Sequence, residues 1–381
     1  MAALGVGLLA SGPALAQAAS QVDSGDTAWL LSATALVLLM TLPGLAPFID
    51  DLGRVGLMNL SRGDAIGTAP EIVFFTFQMA FAIITPALMI GAVVERVKFA
   101  GLLAFCAGWV VLVYAPVCHW IWGGGWMVAL GVKDYAGGLV VHATAGVSAL
   151  ILARAVGPRD GWPRDLSPPH NPGMTMTGAG LLWVGWYGFN GGSALAANAD
   201  AGAALTATHM AAAASGLVWA LVEHLRFGRA SLVGLVTGVV AGLATVTPAS
   251  GFISPLSGLV LGALGSFVCF EAVTLVKARL KVDDSLDVFA VHGVGGILGT
   301  LMVAVLAHPL LGGQGYAAGA GLAGQAWRQA LGVVVVCAWS AGASLVLVAL
   351  VRRLTGLRAS DEVIDDGLDL GARGERAYHL N

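Results

Sequence analysis

Two histidines carry the most chemical potential in this chain. Asp134 is followed eight positions later by His142, in LVVHATAG, and Asp284 is followed eight positions later by His292, in VFAVHGVGG. Both histidines sit in glycine-rich apolar stretches, where an ionisable side chain is costly unless partnered and so marks a candidate site. A neutral imidazole offers one hydrogen-bond donor and one acceptor. That suits a small neutral hydrogen-bonding molecule better than an alkali ion, which takes a ring of oxygens that is not visible here. A lone histidine would as readily be a satisfied core residue. A matched pair in two halves points instead to a pore or site on an internal pseudo-symmetry axis.

The elements that must position this pair are membrane helices. Of 381 residues, 57% are hydrophobic and 11% charged, against roughly 25% charged in soluble domains. Apolar runs of about 20 residues place ten spans near 28–49, 72–94, 99–122, 135–156, 172–192, 201–223, 231–249, 255–277, 288–308 and 328–351. The fold class is therefore an all-α polytopic membrane protein without a separate soluble domain. The 54 glycines are scattered through the spans, which fits helices packed closely through small residues. Nucleic acid is not an expected partner; the lipid bilayer is.

Charge placement gives an orientation. Arg96 and Lys98, then Arg154, Arg159 and Arg164, then Arg226 and Arg229, then Lys277, Arg279 and Lys281, then Arg352, Arg353 and Arg358 fall in every second connection. Beyond residue 71 the intervening connections hold only Lys133 and Arg328, while Arg54 and Arg62 lie in the segment between the first two spans. By the positive-inside rule the rich connections and the C-terminus are cytoplasmic. Asp134 then lies outside, and eight residues of helix would set His142 about 12 Å below it. Asp284 lies at the cytoplasmic end of its own span. The two histidines can thus meet near the midplane on antiparallel helices, an inverted-repeat geometry.

The outer approach is aromatic, with Phe77 and Phe81, Trp120, Trp122 and Trp126, and Trp186 and Phe189. Aromatic faces attract cations, and the Ser193 hydroxyl can accept a hydrogen bond from one. Trp29, Trp162 and Trp327 read as interfacial anchors. His119 and His209 have no symmetry mate and read as structural. Glu95 with Arg96, and Asp283 with Lys281, read as helix-end pairs. Cys106, Cys118, Cys269 and Cys337 lack metal-ligand spacing and read as packing residues. No metal or cofactor is expected. Residues 1–20 have the apolar core and small residues of a signal peptide, though no basic residue precedes the core.

Several segments, in order, resemble one known family. FQMAFAIITPALMIGAVVERVKF, IWGGGW, DYAGGLVVHATAG, WVGWYGFNGGSA, VTPASGFI, VDDSLDVFAVHGVGGILG and the tail GLR…GLD…GERAY are similar to the ammonium transporters of the Amt/MEP/Rh superfamily, over roughly 66–381. The resemblance implies an ammonium-transporter-like inverted-repeat helix bundle, and a transporter or channel rather than an enzyme. It implies an outer recruitment site at Trp122, Phe81 and Ser193, with Gln78 and Phe77 beside it and Asp134 just below. It implies a gate of stacked rings, Phe81 and Phe189, and a twin-histidine pore of His142 and His292 lined further by Trp186 and Val288. Ammonium would be recruited as a cation, deprotonated, and conducted as ammonia, because an intact charge in a dry lining carries a large desolvation penalty. Family membership also implies a homotrimer in the bacterial inner membrane. The tail would dock a cytoplasmic PII-type signal protein through Gly356, Leu357 and Arg358 and through Gly367, Leu368 and Asp369.

One departure is large. The family's first span is followed by a complete second helix, whereas here TLPGLA runs directly into PFIDDLGRVGL, so ten spans are expected in place of eleven. On these expectations the chain divides into a signal peptide at 1–20, a transporter domain at 21–351 and a regulatory tail at 352–381. A single crossing by 28–49 would put its N-terminus in the cytoplasm, whereas a cleaved signal peptide would put it outside. Other readings are an inactive, internally deleted transporter, an ammonium sensor, and a bis-histidine haem protein with His142 and His292 as axial ligands. A gas channel of the Rh type is a variant of the same fold, disfavoured by Trp122 and Ser193.

Overall fold

The structure, a computed structural model, describes residues 22–39, 64–165 and 168–375. Among the described residues, ten helical rods overlap the regions where spans are expected. They are α1 (Ser24–Leu39), α2 (Glu71–Ile90), α3 (Phe99–Trp109, carried on by a π-helical Val110–Tyr114 and by Ala115–Ile121), α4 (Gly138–Val156) and α5 (Pro172–Trp186, carried on by a π-helical Tyr187–Gly191). The others are α6 (Ala199–Phe227), α7 (Leu232–Val246), α8 (Pro255–Leu280), α9 (Phe289–Leu306) and α10 (Leu322–Leu354). Seven rods are long and apolar enough to cross a membrane, and α7 is apolar but shorter. The protein is a multi-pass membrane protein.

Helix starts follow local chemistry. Asn171, Asn198, Ser231 and Ser254 each accept a bond from the backbone N–H three residues on, and Pro172 and Pro255 occupy first-turn positions where no N–H is missed. Small residues then set the packing. A Cβ on Gly262 would lie 2.2 Å from the Ala211 carbonyl oxygen, and one on Gly242 2.4 Å from Ser215 Cβ. Hence α6, α7 and α8 pack backbone to backbone.

The two histidine helices run in opposite directions. The Asp134 end of α4 shares a cavity with Phe77, in the second turn of α2, and with Ser193, just beyond the end of α5, on what is here termed the Trp122 face. Ser285 and Leu286, which follow Asp284, donate backbone bonds to Ala92 and Gly91 at the far end of α2. This is the Arg96 face. The expected inverted repeat is therefore present.

Three details depart from the sequence reading. First, residues 132–137 are not helical, and α4 begins as a π-helix over Gly138–Ala143, so His142 does not sit eight helical residues beyond Asp134. Second, α1 begins on the Trp122 face, where Asp26 accepts bonds from Thr68 Oγ1 (2.5 Å) and from the Ala197 N–H (2.7 Å). Since α2 starts on the same face after a two-residue-strand hairpin, Ala65–Ile66 with Ala69–Pro70, α1 and α2 are parallel. A single crossing that starts from the other side is ruled out by those bonds. The proposed signal peptide and the proposed join near Pro47 lie outside the described residues. Third, the helix-end pairs are replaced by a cross-linked cluster. Arg96, fully buried, donates to the carbonyl oxygens of Gly157, Val94, Ala92 and Asp283 and to Ser285 Oγ. Arg159 grips the Asp283 carboxylate through Nε (3.0 Å) and a terminal nitrogen (2.9 Å), and lies 3.7 Å from Glu95. Burial works against the Asp283 charge, but Arg159 and Arg96 together hold its pKa below the usual value.

Candidate functional site

The glycines beside the histidines explain how the rings approach. A Cβ on Gly146 would lie 2.3 Å from the backbone N and Cα of Gly293, and one on Gly296 2.7 Å from His142 Cβ. The helices therefore cross at the turn that carries the imidazoles. His142 Nδ1 and His292 Nδ1 are 3.2 Å apart, with ring centroids 5.2 Å apart and planes 25° from parallel. One nitrogen must donate and the other accept, so the pair as drawn holds two different neutral tautomers. His142 Nε2 has no partner among the described residues. Ring nitrogens in hydrogen-bond contact leave no space for an iron and its porphyrin between them, which removes the haem reading.

Aromatic rings surround the pair. Trp186 stacks on His142 (5.4 Å, 17°), and its indole N–H donates to Thr247 Oγ1 at 2.9 Å. Phe189 stands 6.0 Å from His142, 5.3 Å from Trp186 and 4.4 Å from Phe81. The two phenyl rings thus lie between His142 and a cavity of about 400 Å³ on the Trp122 face. That cavity is lined by Phe77, Gln78, Phe81, Trp122, Asp134 and Ser193 among others. Phe81 meets Phe77 at 5.0 Å and Trp122 at 5.6 Å, both edge to face. Trp122 is anchored by its N–H to the Asp134 carbonyl (2.8 Å), and the Ser193 hydroxyl donates to the Phe189 carbonyl (2.8 Å). The Gln78 Oε1 is buried without a partner among the described residues.

Phe189 and Ser193 are placed by their neighbours. A Cβ on Gly188 would lie 2.4 Å from the Ala33 carbonyl oxygen, and Trp29 donates to the Gly191 carbonyl at 3.2 Å. Trp29 is therefore a strut of the site as well as a boundary residue. Asn190 donates to Thr208 Oγ1 in the buried interior. His209 shares a 2.6 Å bond with the Tyr187 hydroxyl and packs on Trp183, in keeping with a structural role.

Asp134 is bound more tightly to its own chain than the sequence indicates. Its two carboxylate oxygens accept the N–H groups of Gly137 (2.9 Å), Gly138 (2.6 Å), Leu139 (2.7 Å) and Val140 (3.1 Å). These are the four unpaired donors at the start of the His142 helix, so Asp134 acts as its cap. Val288 packs against Gly91, one turn before His292. The tail divides in two. Leu357 is buried and pairs with the segment before α3, Lys98 donating to the Leu357 carbonyl and Ala359 to that of Arg96. Gly356 takes a left-handed φ of 75° with its carbonyl against Gly101, and Arg358 donates to the Pro158 carbonyl (2.8 Å). Gly367 and Asp369 are exposed and Leu368 is half-buried, with Asp369 3.9 Å from Arg373, whose guanidinium lies over the Phe99 ring of α3.

Sequence reasoning missed Thr247, the Arg96 cluster, and the buried Gln325 and Gln329. None forms a motif by spacing, because each acts on an element far away in the chain. Among the described residues no group of metal-binding side chains occurs.

Known proteins are similar to this chain in sequence and in fold. The model of the Ammonium Transporter Family matches residues 44–378. A putative ammonium transporter of Methanothermobacter thermautotrophicus is 40% identical over 407 aligned positions, covering 94% of this chain and 99% of the relative. An alignment longer than the 381-residue chain means that this relative carries residues which the chain lacks. An ammonium transporter of Mycobacterium bovis is 39% identical, covering 93% and 90%. Among solved structures, a Sensor Amt Protein superposes with a TM-score of 0.82 at 28% identity, covering 92% of this chain and 98% of the other. Candida albicans Mep2 superposes at 0.80 and 31% identity, covering 90% and 88%. The chain therefore belongs to the ammonium transporter family, a family of transporters and not of enzymes.

Proposed function

We propose that this ammonium transporter recruits ammonium from outside the cell in the aromatic cavity, removes a proton, and conducts ammonia past His142 and His292. The observation that carries this reading is the sequence of environments from cavity to histidines. Phe81, Trp122 and Ser193 offer aromatic faces and a hydroxyl to a cation, whereas beyond Phe81 and Phe189 the buried imidazoles of His142 and His292 meet aromatic rings, Phe189 and a Trp186 whose N–H is already bonded to Thr247. An isolated cation there would pay a desolvation penalty of several kcal/mol, and losing the proton avoids it. Ammonia can both donate and accept hydrogen bonds, and the unpartnered His142 Nε2 faces a like need. The bonded histidine pair also offers a relay by which the proton could travel separately, making transport electrogenic. Potassium cannot shed a proton, so it would reach the cavity and be refused.

By the charge distribution the Trp122 face is external and the Arg96 face and tail are cytoplasmic, in a bacterial inner membrane. Assembly as a homotrimer belongs to the same proposal. So does docking of a PII-type partner on the cytoplasmic face, where Leu357 and Arg358 are already held against the bundle. Sensing is the second reading, favoured by the superposition on a protein titled a sensor. In proteoliposomes, the chain should give ammonium-evoked current and methylammonium uptake, and His142→Ala should abolish or greatly reduce both. Unchanged transport in that variant would overturn the histidine role. A wild-type chain that binds ammonium yet moves none would favour sensing or a deletion-inactivated transporter, and a potassium conductance matching the ammonium response would exclude deprotonation as the filter.

A further inference from the structure

Lys133 and Arg328 are basic residues that break the alternating charge pattern of the chain beyond residue 71, and the structure brings both to the rim of the recruitment cavity. Lys133 lines it, and the Arg328 guanidinium lies against Gly131, another lining residue. The Lys133 ammonium donates to the Gly315 carbonyl at 2.8 Å and stands 4.6 Å over the centre of the Phe252 ring. A carbonyl oxygen and an aromatic face are the partners a free ammonium ion would choose. The cavity therefore has two such seats, one at Phe81, Trp122 and Ser193 and a second at Phe252 and Gly315 that the chain's own ammonium fills.

The position is built rather than incidental. Gln329, fully buried on α10, accepts the Lys133 backbone N–H at 2.8 Å and donates to its carbonyl at 2.7 Å. Gln325, also buried, donates to the Gly131 carbonyl and to Gln329. The segment 131–133 is thus clamped from behind, and the lysine can reach only toward the cavity and Gly315. The nearest negative charge in the lining, Asp134, has both oxygens engaged by backbone N–H groups.

We propose that Lys133, with Arg328 behind it, is a resident cation that sets the ammonium affinity of the mouth, repelling the incoming ion and confining it to the seat at Phe81, Trp122 and Ser193. The inference rests on the cavity being the recruitment site. Two like charges within one small cavity at the boundary with water repel by an amount equivalent to about a three- to tenfold change in binding. Salt screens such an exposed pair, so the effect should shrink as ionic strength rises.

The test is the KM for methylammonium uptake into proteoliposomes, measured for wild type, Lys133→Gln, Lys133→Arg, Arg328→Gln and Trp122→Ala at low and high concentrations of N-methylglucamine chloride. Lys133→Gln should lower KM by about three- to tenfold at low salt and less than about twofold at high salt, where screening is short-ranged. Maximal rate should change little. Lys133→Arg should keep the wild-type KM, and Arg328→Gln should lower it by about twofold, being farther from the seat. An unchanged or raised KM in Lys133→Gln, with Trp122→Ala still raising KM, would overturn the inference and leave Lys133 a strut for the 309–321 loop. If Lys133→Gln does not insert and fold, Arg328→Gln decides, and an unchanged KM there counts against a charged rim. Failure of Trp122→Ala to alter KM would instead refute the recruitment site itself.

Discussion

Asp134 and Asp284 precede their histidines by the same eight residues and both cap the helix that follows, yet they are satisfied unequally. Asp134 spends both oxygens on four backbone N–H groups. Asp284 accepts from Phe289 at 2.7 Å through one oxygen, while the other has no partner among the described residues. Lys277 reaches Asp287 at 2.8 Å, and Arg96 and Arg159 are committed to Asp283, so among the described residues no cation forms an ion pair with Asp284. Burial raises its pKa to about 6. An internal repeat can thus preserve backbone geometry while its two halves diverge in charge. On the Trp122 face the carboxylate is fixed as part of the scaffold, and on the Arg96 face it is left able to titrate.

The largest expected effect tests that contrast directly. Asp134→Ala strips the acceptors from four buried donors, each costing about 1–3 kcal/mol if left bare, so folded protein should be scarcely recoverable after detergent extraction. Asp284→Ala should cost about 1 kcal/mol and leave a cooperative melt. Equal losses of melting temperature would end the distinction.

A second asymmetry lies at the helix crossing. A Cβ on Gly146 meets Gly293 backbone at 2.3 Å, whereas a Cβ on Gly293 meets first the Phe289 ring at 2.8 Å and Gly146 Cα only at 3.3 Å. A ring can turn and a backbone cannot. Gly146→Ala should therefore destabilise by about 2–3 kcal/mol and separate the histidines, and Gly293→Ala by about 1 kcal/mol. Comparable melting temperatures and uptake rates in the two variants would contradict this packing.

The pH dependence of stability sharpens the same comparison. The folded state holds the Asp284 proton more tightly than a carboxyl of ordinary pKa 3.8. Between that value and about 6 the folded state carries more bound proton than the unfolded chain, so this group makes stability fall as pH rises through the window. Melting curves of Asp284→Asn from pH 4 to 7 should lack that component of the slope. An unaltered slope would mean that Asp284 ionises normally.

The smallest effect concerns the ring beside His142. Thr247→Val removes the acceptor of the Trp186 indole N–H and should cost about 1 kcal/mol with a modest fall in uptake. A variant of wild-type stability and rate would show that stacking on His142 alone holds Trp186.

Much of this was legible in the linear chain. Apolar runs of about 20 residues marked where the long helices lie, seven of them long and apolar enough to cross among the described residues, because the bilayer imposes a length and a composition on them. The Asp134–His142 and Asp284–His292 pairs stood out because ionisable residues are rare in such runs. The direction of α1 was not legible. A single crossing would start it on one face and a cleaved signal peptide on the other, and bonds from Thr68 and Ala197 to Asp26 place it on the Trp122 face. Nor was the π-helical start of each histidine helix, since one extra residue per turn leaves no mark in hydropathy. Glu95 and Arg96 looked like a local pair until the fold brought Asp283 and Arg159 to them.

Local spacing and composition thus established that this chain crosses a membrane many times, and which side chains are too costly there to be incidental. The fold alone settled what those side chains touch. Whether Asp134 is a free charge or a saturated cap depends on a local turn, but whether Lys133 points at solvent or at Phe252 depends on elements more than a hundred residues away. Burial costs can be read residue by residue, whereas partners are set by packing between distant segments, and it is the partners that fix charge, orientation and reach.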